Sequence, residues 1–457
     1  MTSAAIVGSG PNGLAAALTL AAAGVSVTVY EAETRLGGGT RSAELTVPGL
    51  IHDECAAAHP LAVDNEFMRR FRLPIQWCWP EVQYSHPLDG DATDGPGGGA
   101  GASSSGALPR LFGARYPWDD MLQPVLHLPR RPVGLVRLGA LSALPATTLA
   151  RALPSRELRA LWAGVAAHSF RPLSAPFSSA IGLVLGAAAH QFGWPVARGG
   201  SAAITHAMAA AAAGYGATFE TGVRIGSLAE LQADLILLDT SARAAVTIAG
   251  SAMPGRIAAA LRRFRYGPAA FKVDFAVDGG VPWRHLPSRR AGTVHVGGSL
   301  EEIAAAEAAI NAGRMPERPF VLVCQQSLAD PTRARETLVP IYSYAHVPAG
   351  FTGDATGLIE AQIERFAPGF RERIVARHVR TVAQSEAMNA NYVGGDIATG
   401  ANDPRQLLLR PRPALDPYSL GIPGVYLCSA ATPPGAGAHG MCGYNAAISA
   451  LAWLTRR

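Results

Sequence analysis

The stretch "AAIVGSGPNGLAAALTLAAAGVSVTVYEAE", residues 4–33, decides the fold of this chain. Residues 4–7 are small or β-branched, a composition typical of a buried parallel strand. Residues 14–23 are strong helix formers, and Gly24 is placed to end the helix. Residues 25–30 have the pattern of a second strand. A strand, a glycine turn, a helix and a second strand in this order predict the start of a Rossmann-like α/β domain.

The turn before the helix carries the pattern G-x-G-x-x-G. Its glycines let backbone N–H groups approach a pyrophosphate, whose charge the helix N-terminus stabilises. Glu31 follows the third glycine by 18 residues, and its carboxylate can accept hydrogen bonds from a ribose diol. An acid here argues against a 2′-phosphate. The turn residues that we expect to bind the dinucleotide are Gly8, Gly10, Pro11, Asn12 and Gly13.

The stretch "EAETRLGGGTRS", residues 31–42, indicates which dinucleotide is bound. It resembles the R-x-G-G-R-x-x-S/T signature of flavoproteins of the amine oxidase and phytoene desaturase superfamily. The resemblance implies that the glycines bring the backbone close to FAD, and that the arginines approach its phosphates or line the flavin entry. An extra glycine and Thr40 lie between Gly38 and Arg41, which departs from the signature. The alternative to a cofactor-binding stretch is a solvated basic loop. The expected cofactor contacts are Ala32, Arg35, Gly38, Gly39, Thr40 and Arg41.

Length and charge limit the classes of function. With 457 residues the chain is expected to form two or three domains, and an apolar fraction of 49% predicts a well-packed globular protein. The 39 basic residues are interspersed with 34 acidic ones, and no basic stripe with interleaved aromatic residues is present. We therefore do not expect nucleic-acid binding.

Cysteine spacing and hydropathy predict the location of the protein. The five cysteines are widely scattered, which predicts reduced thiols and no metal site. Cys442 is close to a predicted helix start, where a thiolate would be stabilised. Residues 1–30 lack charge, which raises the alternatives of a signal peptide or a membrane span, but they contain no positively charged N-terminal region, and glycines and a proline interrupt them. The apolar run 180–189 is too short to span a bilayer. A soluble, cytoplasmic protein is expected.

The rest of the chain divides by composition. Residues 89–109 are Gly/Ser-rich and predict a mobile loop, whereas residues 120–190 are apolar and helical. This helical region either buries an apolar substrate or packs on the cofactor domain. Residues 193–225 are similar to the second cofactor segment of the superfamily, which implies that Val223 holds adenine through its backbone. Strand patterns within 265–347 predict a second sheet, mixed or antiparallel.

Over nearly its whole length, the chain resembles the phytoene desaturase-like FAD-dependent oxidoreductases, and most of all a bacterial branch without an assigned carotenoid substrate. The segments that carry this resemblance are "GPAAFKVDFAVDGGVPW", "TVHVGGSLEEIAAAE", "PFVLVCQQSLADPTRA", "NYVGGDIATG" and "YLCSAATPPGAGAHGMCGYNAA". The resemblance implies one non-covalent FAD in a GR2-type Rossmann-like domain with an inserted α+β substrate domain. The FAD-binding domain would comprise residues 1–75, 190–250 and 405–457, and the substrate domain residues 76–189 and 251–404.

The C-terminal run "PPGAGAHGMCGYNAAISALAWL", residues 433–454, is expected to complete the site. Residues 425–428 predict the last strand of the cofactor sheet. The resemblance implies that residues 433–443 then wrap the flavin, and the alternative is a frayed tail. A helix start aimed at the flavin would stabilise the charge of its reduced form. The expected contacts are Gly440, Met441 and Cys442.

A flavin carries out the redox step itself, so few acid–base residues are expected. His439 is the candidate catalytic residue; equally, it could orient the loop through a backbone hydrogen bond. For His59, His346 and Tyr392 we favour a structural role.

Three functions are compatible with these patterns. The first is an FAD-dependent desaturase or dehydrogenase that removes hydride from an apolar, polyene- or lipid-like small molecule. Extraction of that molecule from a membrane would add a transient, peripheral membrane contact. The second is an isomerase or cyclase that uses reduced FAD without net redox change, and the third is an inactive FAD-binding partner protein. No sequence feature indicates an oligomeric state.

Overall fold

The computed structural model describes residues 1–90, 100–101, 116–124 and 126–456. The strands are β1 (Ser3–Val7), β2 (Ser26–Glu31), β3 (Ser42–Ala43), β4 (His52–Asp53), β5 (Trp77–Cys78), β6 (Val82–His86), β7 (Ala100–Gly101), β8 (Val196–Ala197), β9 (Thr218–Thr221), β10 (Leu235–Leu238), β11 (Ala269–Asp278), β12 (Ala291–Val296), β13 (Val321–Cys324), β14 (Leu338–Val347), β15 (Ile374–Arg380) and β16 (Val425–Leu427). The α-helices are α1 (Pro11–Ala21), α2 (Glu66–Phe71), α3 (Trp118–Met121), α4 (Pro132–Ser142), α5 (Ala146–Ala150), α6 (Arg156–Ala167), α7 (Ala180–Gln191), α8 (Ala202–Gly214), α9 (Ala242–Ala249), α10 (Gly255–Arg262), α11 (Leu300–Asn311), α12 (Thr356–Phe366), α13 (Val382–Met388), α14 (Pro404–Leu409) and α15 (Met441–Leu454).

The first large sheet is parallel, with strand order β16-β10-β1-β2-β9. In the central strand β1, Val7 pairs with Leu238 on one side and with Tyr30 on the other. Strands β1 and β10 are apolar along their length because helices cover both faces of the sheet. The Rossmann-like fold predicted from residues 4–33 is confirmed.

Helix α1 is almost entirely buried between the parallel sheet and the helices α8 and α15. Its crossing with α15 is very close, because a Cβ added to Gly443 would lie 1.7 Å from the carbonyl oxygen of Asn12. Only glycine fits at this point. The crossing fixes the C-terminal helix against the first glycine turn.

The second large sheet is mixed, with strand order β15-β11-β14-β13-β12-β6-β7. Among its described pairs, β12 and β6 run parallel and the others are antiparallel. Helix α12 packs on one face through Ile359 and Ile363, and the helices α6 and α7 pack toward the other. The predicted mixed or antiparallel second sheet is confirmed.

A buried ion pair lies on the central part of β11 in this sheet. Lys272, the only lysine of the chain, pairs with Asp274 on the same strand and lies 4.3 Å from the ring centroid of Tyr342. Both charged side chains are almost fully buried. Burial lowers the pKa of Lys272, although the charge of Asp274 opposes this effect.

The predicted helical region around 120–190 contains α3 to α7. Its buried residues, among them Leu161 and Trp162, cluster with Leu322 and Tyr344 of the mixed sheet, so this region packs mainly on that sheet. The predicted loop at 89–109 lies outside the described residues, except for residues 89–90 and the backbone of β7. Within the described ranges, no helix combines the length and the apolar character needed to cross a bilayer.

Candidate active site

A cavity of about 960 Å³ begins at the carboxyl ends of β1, β2 and β10 and extends to α4, α7 and β14. Ligands of open parallel sheets bind at this end of the strands, where successive βα turns diverge. The volume is at the upper end of the range for small-molecule sites. One continuous space therefore joins the glycine turn to the helical region.

Most residues predicted from the glycine-rich stretches line this cavity. They are Gly8, Gly10, Pro11, Asn12, Glu31, Ala32, Gly38, Gly39, Thr40, Arg41, Val223 and His439. Five other predicted residues are not among the lining residues: Gly13, Arg35, Gly440, Met441 and Cys442. Gly13 has a packing role, because an added Cβ would lie 2.1 Å from the carbonyl oxygen of Gly8.

The carboxylate of Glu31 is fixed at the end of β2. It accepts hydrogen bonds from the Ser9 N–H at 2.9 Å, from the Ser9 hydroxyl at 2.5 Å and from the Glu33 N–H at 2.9 Å. Oε2 already accepts both hydrogen bonds from Ser9, whereas Oε1 accepts only the one from Glu33 and can accept a further one; Glu31 also lines the cavity. Its preorganised carboxylate therefore remains suitable for a ribose diol.

The two arginines of the 31–42 stretch are not equivalent. Arg35 is largely exposed and pairs with Glu54, whereas Arg41 is buried and lines the cavity. The Nε atom of Arg41 lies 3.7 Å from the same carboxylate, and its Nη2 donates to the carbonyl oxygen of Met388 at 3.0 Å. Sequence reasoning did not anticipate Glu54 as their shared partner. The contact of Arg35 with a phosphate stays a prediction.

Val223 lies two residues beyond the end of β9. Its N–H donates to the carbonyl oxygen of Glu31 at 2.8 Å, so this N–H is occupied by the protein itself. The residue still lines the cavity. A backbone contact between Val223 and adenine stays a prediction, and in this arrangement only its carbonyl oxygen could make it.

His439 is buried and lines the cavity. Its Nδ1 accepts a hydrogen bond from the Met441 N–H at 3.0 Å, at the first residue of α15. Burial lowers the pKa of His439 to about 4, so the ring is neutral at pH 7 and the proton resides on Nε2. His439 thus positions the helix start, and its catalytic role stays a prediction.

Cys442 does not form the thiolate that its place near a helix start predicts. Burial raises its pKa to about 12, which outweighs the favourable helix end. The thiol donates to the carbonyl oxygens of Gly435 at 3.3 Å and Thr432 at 3.5 Å. It therefore holds the glycine-rich run in place as a neutral thiol.

The structure identifies two further ionisable residues that sequence reasoning missed. The carboxylate of Asp239, at the end of β10, accepts a hydrogen bond from the Gly13 N–H at 2.9 Å. Arg410 is buried on the cavity wall beside the C-terminal run, where an added Cβ at Gly435 would lie 2.5 Å from its Nη1. The position of Asp239 after a parallel strand was a usable signal, but none pointed to Arg410.

The far half of the cavity is mainly apolar and aromatic. Its lining includes Trp118, Leu135, Leu138, Phe170, Phe177, Ile181, Val184, Trp194, Leu322, Tyr342 and Tyr344. Asp120 also lines it, but its oxygens accept from the N–H groups of Arg130 at 2.8 Å and Arg131 at 2.9 Å, and its Oδ1 lies 3.1 Å from Nε2 of His127. Burial lowers the pKa of His168, another lining residue, to about 3, which keeps its ring neutral. This half is suited to an apolar molecule.

The second-rank candidates lie in different places. His59 and Tyr392 line the cavity, whereas His346 is buried with its Nδ1 2.7 Å from a carboxylate oxygen of Glu307. Burial lowers the pKa of His59 to about 4 and raises that of Tyr392 well above its ordinary value. Both cavity residues are therefore neutral at pH 7.

The parallel sheet, the mixed sheet and the cavity between them define a Rossmann-like α/β fold, and similar proteins share it. Residues 6–72 match the family described as an NAD(P)-binding Rossmann-like domain. An oxidoreductase from Methanosarcina mazei superposes over 99% of this chain and 100% of its own, with 15% identity and a TM-score of 0.62.

Two amine-oxidising enzymes also share the fold. Putrescine oxidase, in a complex with putrescine, superposes over 100% of this chain and 99% of its own, with 15% identity and a TM-score of 0.60. Cyclohexylamine oxidase from Brevibacterium oxydans superposes over 100% of both chains, with 18% identity and a TM-score of 0.58. These similarities establish the fold.

Sequence similarity to curated proteins is local. The rat pyridine nucleotide-disulfide oxidoreductase domain-containing protein 2 is 32% identical over 149 residues, which cover 30% of this chain and 25% of the rat protein. The mouse protein of the same name is 38% identical over 86 residues, or 19% of this chain and 15% of the mouse protein. The matched part thus spans about a quarter or less of each relative.

Proposed function

We propose that the protein binds one FAD non-covalently and uses it to remove hydride from an apolar small molecule. The observation that carries this proposal is the single cavity with two unlike halves. One half offers a glycine turn and a ribose-binding acid, and the other offers an apolar wall. The finer description as phytoene desaturase-like belongs to the same proposal and rests on the sequence segments that resemble that group.

The residues of the first half fit FAD. The glycine turn opens onto the N-terminus of α1, which is a favourable place for a pyrophosphate. Glu31 is held at the adjacent strand end with capacity to accept from a ribose diol. When bound, FAD supplies the acceptor for the hydride. The protein then has to position both molecules and exclude water.

Residues of the C-terminal run are suited to the flavin end of the site. The N-terminus of α15 follows His439, and the guanidinium of Arg410 adds a positive charge next to the run. A helix N-terminus and a buried cation stabilise negative charge more strongly than they would in water. Neutral His439 would contribute by holding the run in position, because its Nδ1 is engaged by Met441.

The second half favours an apolar substrate over a cationic amine. Both oxygens of Asp120 accept hydrogen bonds from backbone N–H groups, and its Oδ1 also lies 3.1 Å from Nε2 of His127. His168, elsewhere on the cavity wall, is neutral. Aromatic and aliphatic side chains form the remaining wall. Burying an ammonium group there would be costly without a partner, whereas a polyene or lipid chain would gain from burial.

The decisive experiment uses the purified full-length protein. We expect a yellow protein that releases FAD on denaturation and whose flavin band is bleached stoichiometrically by the correct polyene- or lipid-like substrate without oxygen. A colourless preparation that neither contains nor binds FAD would refute the proposal. A perturbed but unbleached flavin would favour the isomerase or cyclase, and no perturbation by any candidate would favour the inactive partner protein.

A matched pair of variants tests the cofactor assignment. Glu31→Ala is expected to weaken FAD retention, because it removes the acceptor for the ribose diol. Glu44→Ala removes an exposed carboxylate and should leave retention unchanged. Equal FAD occupancy in both variants would disprove the ribose contact.

The access route to the apolar half is part of this proposal. Helix α4 contributes Leu135 and Leu138 to the cavity wall. On and before the same helix, large apolar side chains are exposed: Leu126, Leu128, Val133 and Val136. The exposed Arg131 and Arg137 accompany them. An apolar patch with cations at its edge suits an anionic lipid surface, from which the substrate would enter.

Vesicle sedimentation tests this contact. We expect binding to vesicles that contain phosphatidylserine, weaker binding to pure phosphatidylcholine, and loss of binding in Leu128→Ser/Val133→Ser. The double variant Val375→Ser/Leu415→Ser changes exposed apolar residues elsewhere and serves as the control. Equal binding of the two variants would contradict the assigned surface. Loss of a dimer in the first variant would indicate that a second copy covers the patch.

A further inference from the structure

Asp239 is placed where an anionic ligand is expected. Asp239 lies just beyond β10, on the cavity wall, and is almost fully buried. Its Oδ2 accepts from the Gly13 N–H at 2.9 Å, and an added Cβ at Gly10 would lie 2.7 Å from the same oxygen. A carboxylate oxygen therefore stands at the first turn of α1, the position that pyrophosphate occupies in dinucleotide-binding βαβ units.

The described titratable groups that act on this carboxylate are one acid and two thiols. The titratable groups that act on it are Glu31 on β2, Cys428 next to β16 and Cys442 on α15. Within the described part of the chain, no lysine, arginine or histidine forms an ion pair with Asp239; both cysteines are neutral because burial raises their pKa.

The charged form of Asp239 is already disfavoured before any ligand arrives. Burial, helped by repulsion from Glu31, raises the pKa of Asp239 to about 7, although the N–H groups of Gly13 and Gly10 oppose this shift. A pyrophosphate with two negative charges at the same helix end would disfavour the carboxylate further. The neutral acid, in contrast, can donate a hydrogen bond to an anion.

We propose that Asp239 is a binding residue for the dinucleotide pyrophosphate that acts in its protonated form, so that cofactor binding takes up one proton from solvent. This inference rests on the proposed FAD site and adds a residue and a proton to it. Like a phosphate-binding amide, the protonated acid would contribute a donor. At a pH where Asp239 is ionised, the carboxylate must take up a proton before FAD can bind.

The alternative is a purely structural cap. In that case, Asp239 would accept from Gly13 in the free and in the bound protein, as capping residues do at the third position of a helix. Asparagine can accept the same hydrogen bond but cannot titrate. The two roles therefore differ in the pH dependence of binding.

The experiment measures FAD binding to the apoprotein by calorimetry between pH 6 and pH 9, in two buffers with different ionisation enthalpies. For the natural protein we expect the association constant to fall toward tenfold per pH unit above about pH 7, with close to one proton taken up per FAD at pH 9. Asp239→Asn should show no proton uptake and bind up to about a hundredfold tighter than the natural protein at pH 9. Asp278→Asn, an exposed carboxylate on the mixed sheet, is the control and should follow the natural protein.

Proton uptake near zero at pH 9 in the natural protein would overturn the inference, and this measurement needs no substitution. An Asp239→Asn protein that is folded by circular dichroism but keeps the pH dependence would overturn it as well. These outcomes leave FAD binding, and hence the proposed function, intact. If FAD binds to no variant at any pH, the proposed function fails, and the inference fails with it.

Discussion

Replacing Gly443 with alanine tests the packing that closes the site. A Cβ at this position would lie 1.7 Å from the carbonyl oxygen of Asn12, whereas ordinary contacts begin at 3.4 Å. The helices α1 and α15 would therefore have to separate by about 1.7 Å, the difference between these distances. Overpacking of a core costs about 1–3 kcal/mol, and this clash belongs at the upper end because a Cβ against backbone cannot be relieved by a rotamer change.

The assay is thermal unfolding followed by circular dichroism, together with the FAD content of the purified protein. Gly443→Ala is expected to lower the Tm by several degrees. It should also weaken FAD retention, since α15 directly follows His439, which accepts a hydrogen bond from the first N–H of the helix. The control is Gly357→Ala in helix α12, where an added Cβ meets nothing within 4 Å, and its Tm should stay equal or rise slightly. Equal Tm values for the two variants would refute the packing argument.

Three further predictions concern buried charge, protonation and hydrogen bonding. Lys272→Met should lower the free energy of unfolding by about 3–5 kcal/mol, because it leaves Asp274 buried without its partner. The double variant Lys272→Met/Asp274→Leu should recover most of this loss. A double variant no more stable than Lys272→Met would contradict the reasoning. Burial lowers the pKa of His59, His86 and His439 to about 4, so the unfolded chain binds more protons between about pH 6.5 and 4. Stability should therefore fall as the pH decreases through this window, by up to about 3 kcal/mol per histidine, and urea unfolding midpoints that stay constant from pH 7 to 4.5 would contradict it. His439→Gln should keep FAD retention closer to the natural level than His439→Ala does, because glutamine retains an acceptor for the Met441 N–H. FAD release assays that rank the two variants in the opposite order would argue against the role of His439 in positioning the helix start.

Sequence patterns predicted the architecture because each pattern depends on residues that are close together in the chain. Residues 4–33 bring strand, turn and helix together within one βαβ unit, so spacing alone places Glu31 near the glycines. Alternation within 265–347 predicted strands of the second sheet for the same reason. The helical region also followed from composition, but composition did not indicate that it packs mainly on the mixed sheet.

Residues distant in sequence decided the chemistry of the site, and spacing carries no information about them. The carboxylate of Asp239 reaches the helix that begins more than 220 residues earlier only because β10 pairs with β1. Burial overrides the helix end at Cys442, since the thiol is enclosed by the run that precedes it. The sequence by itself determined a Rossmann-like fold with a glycine turn, and a C-terminal run that returns to the same sheet. The tertiary structure alone decided which groups keep their charge, because desolvation and partners depend on what the whole fold brings together.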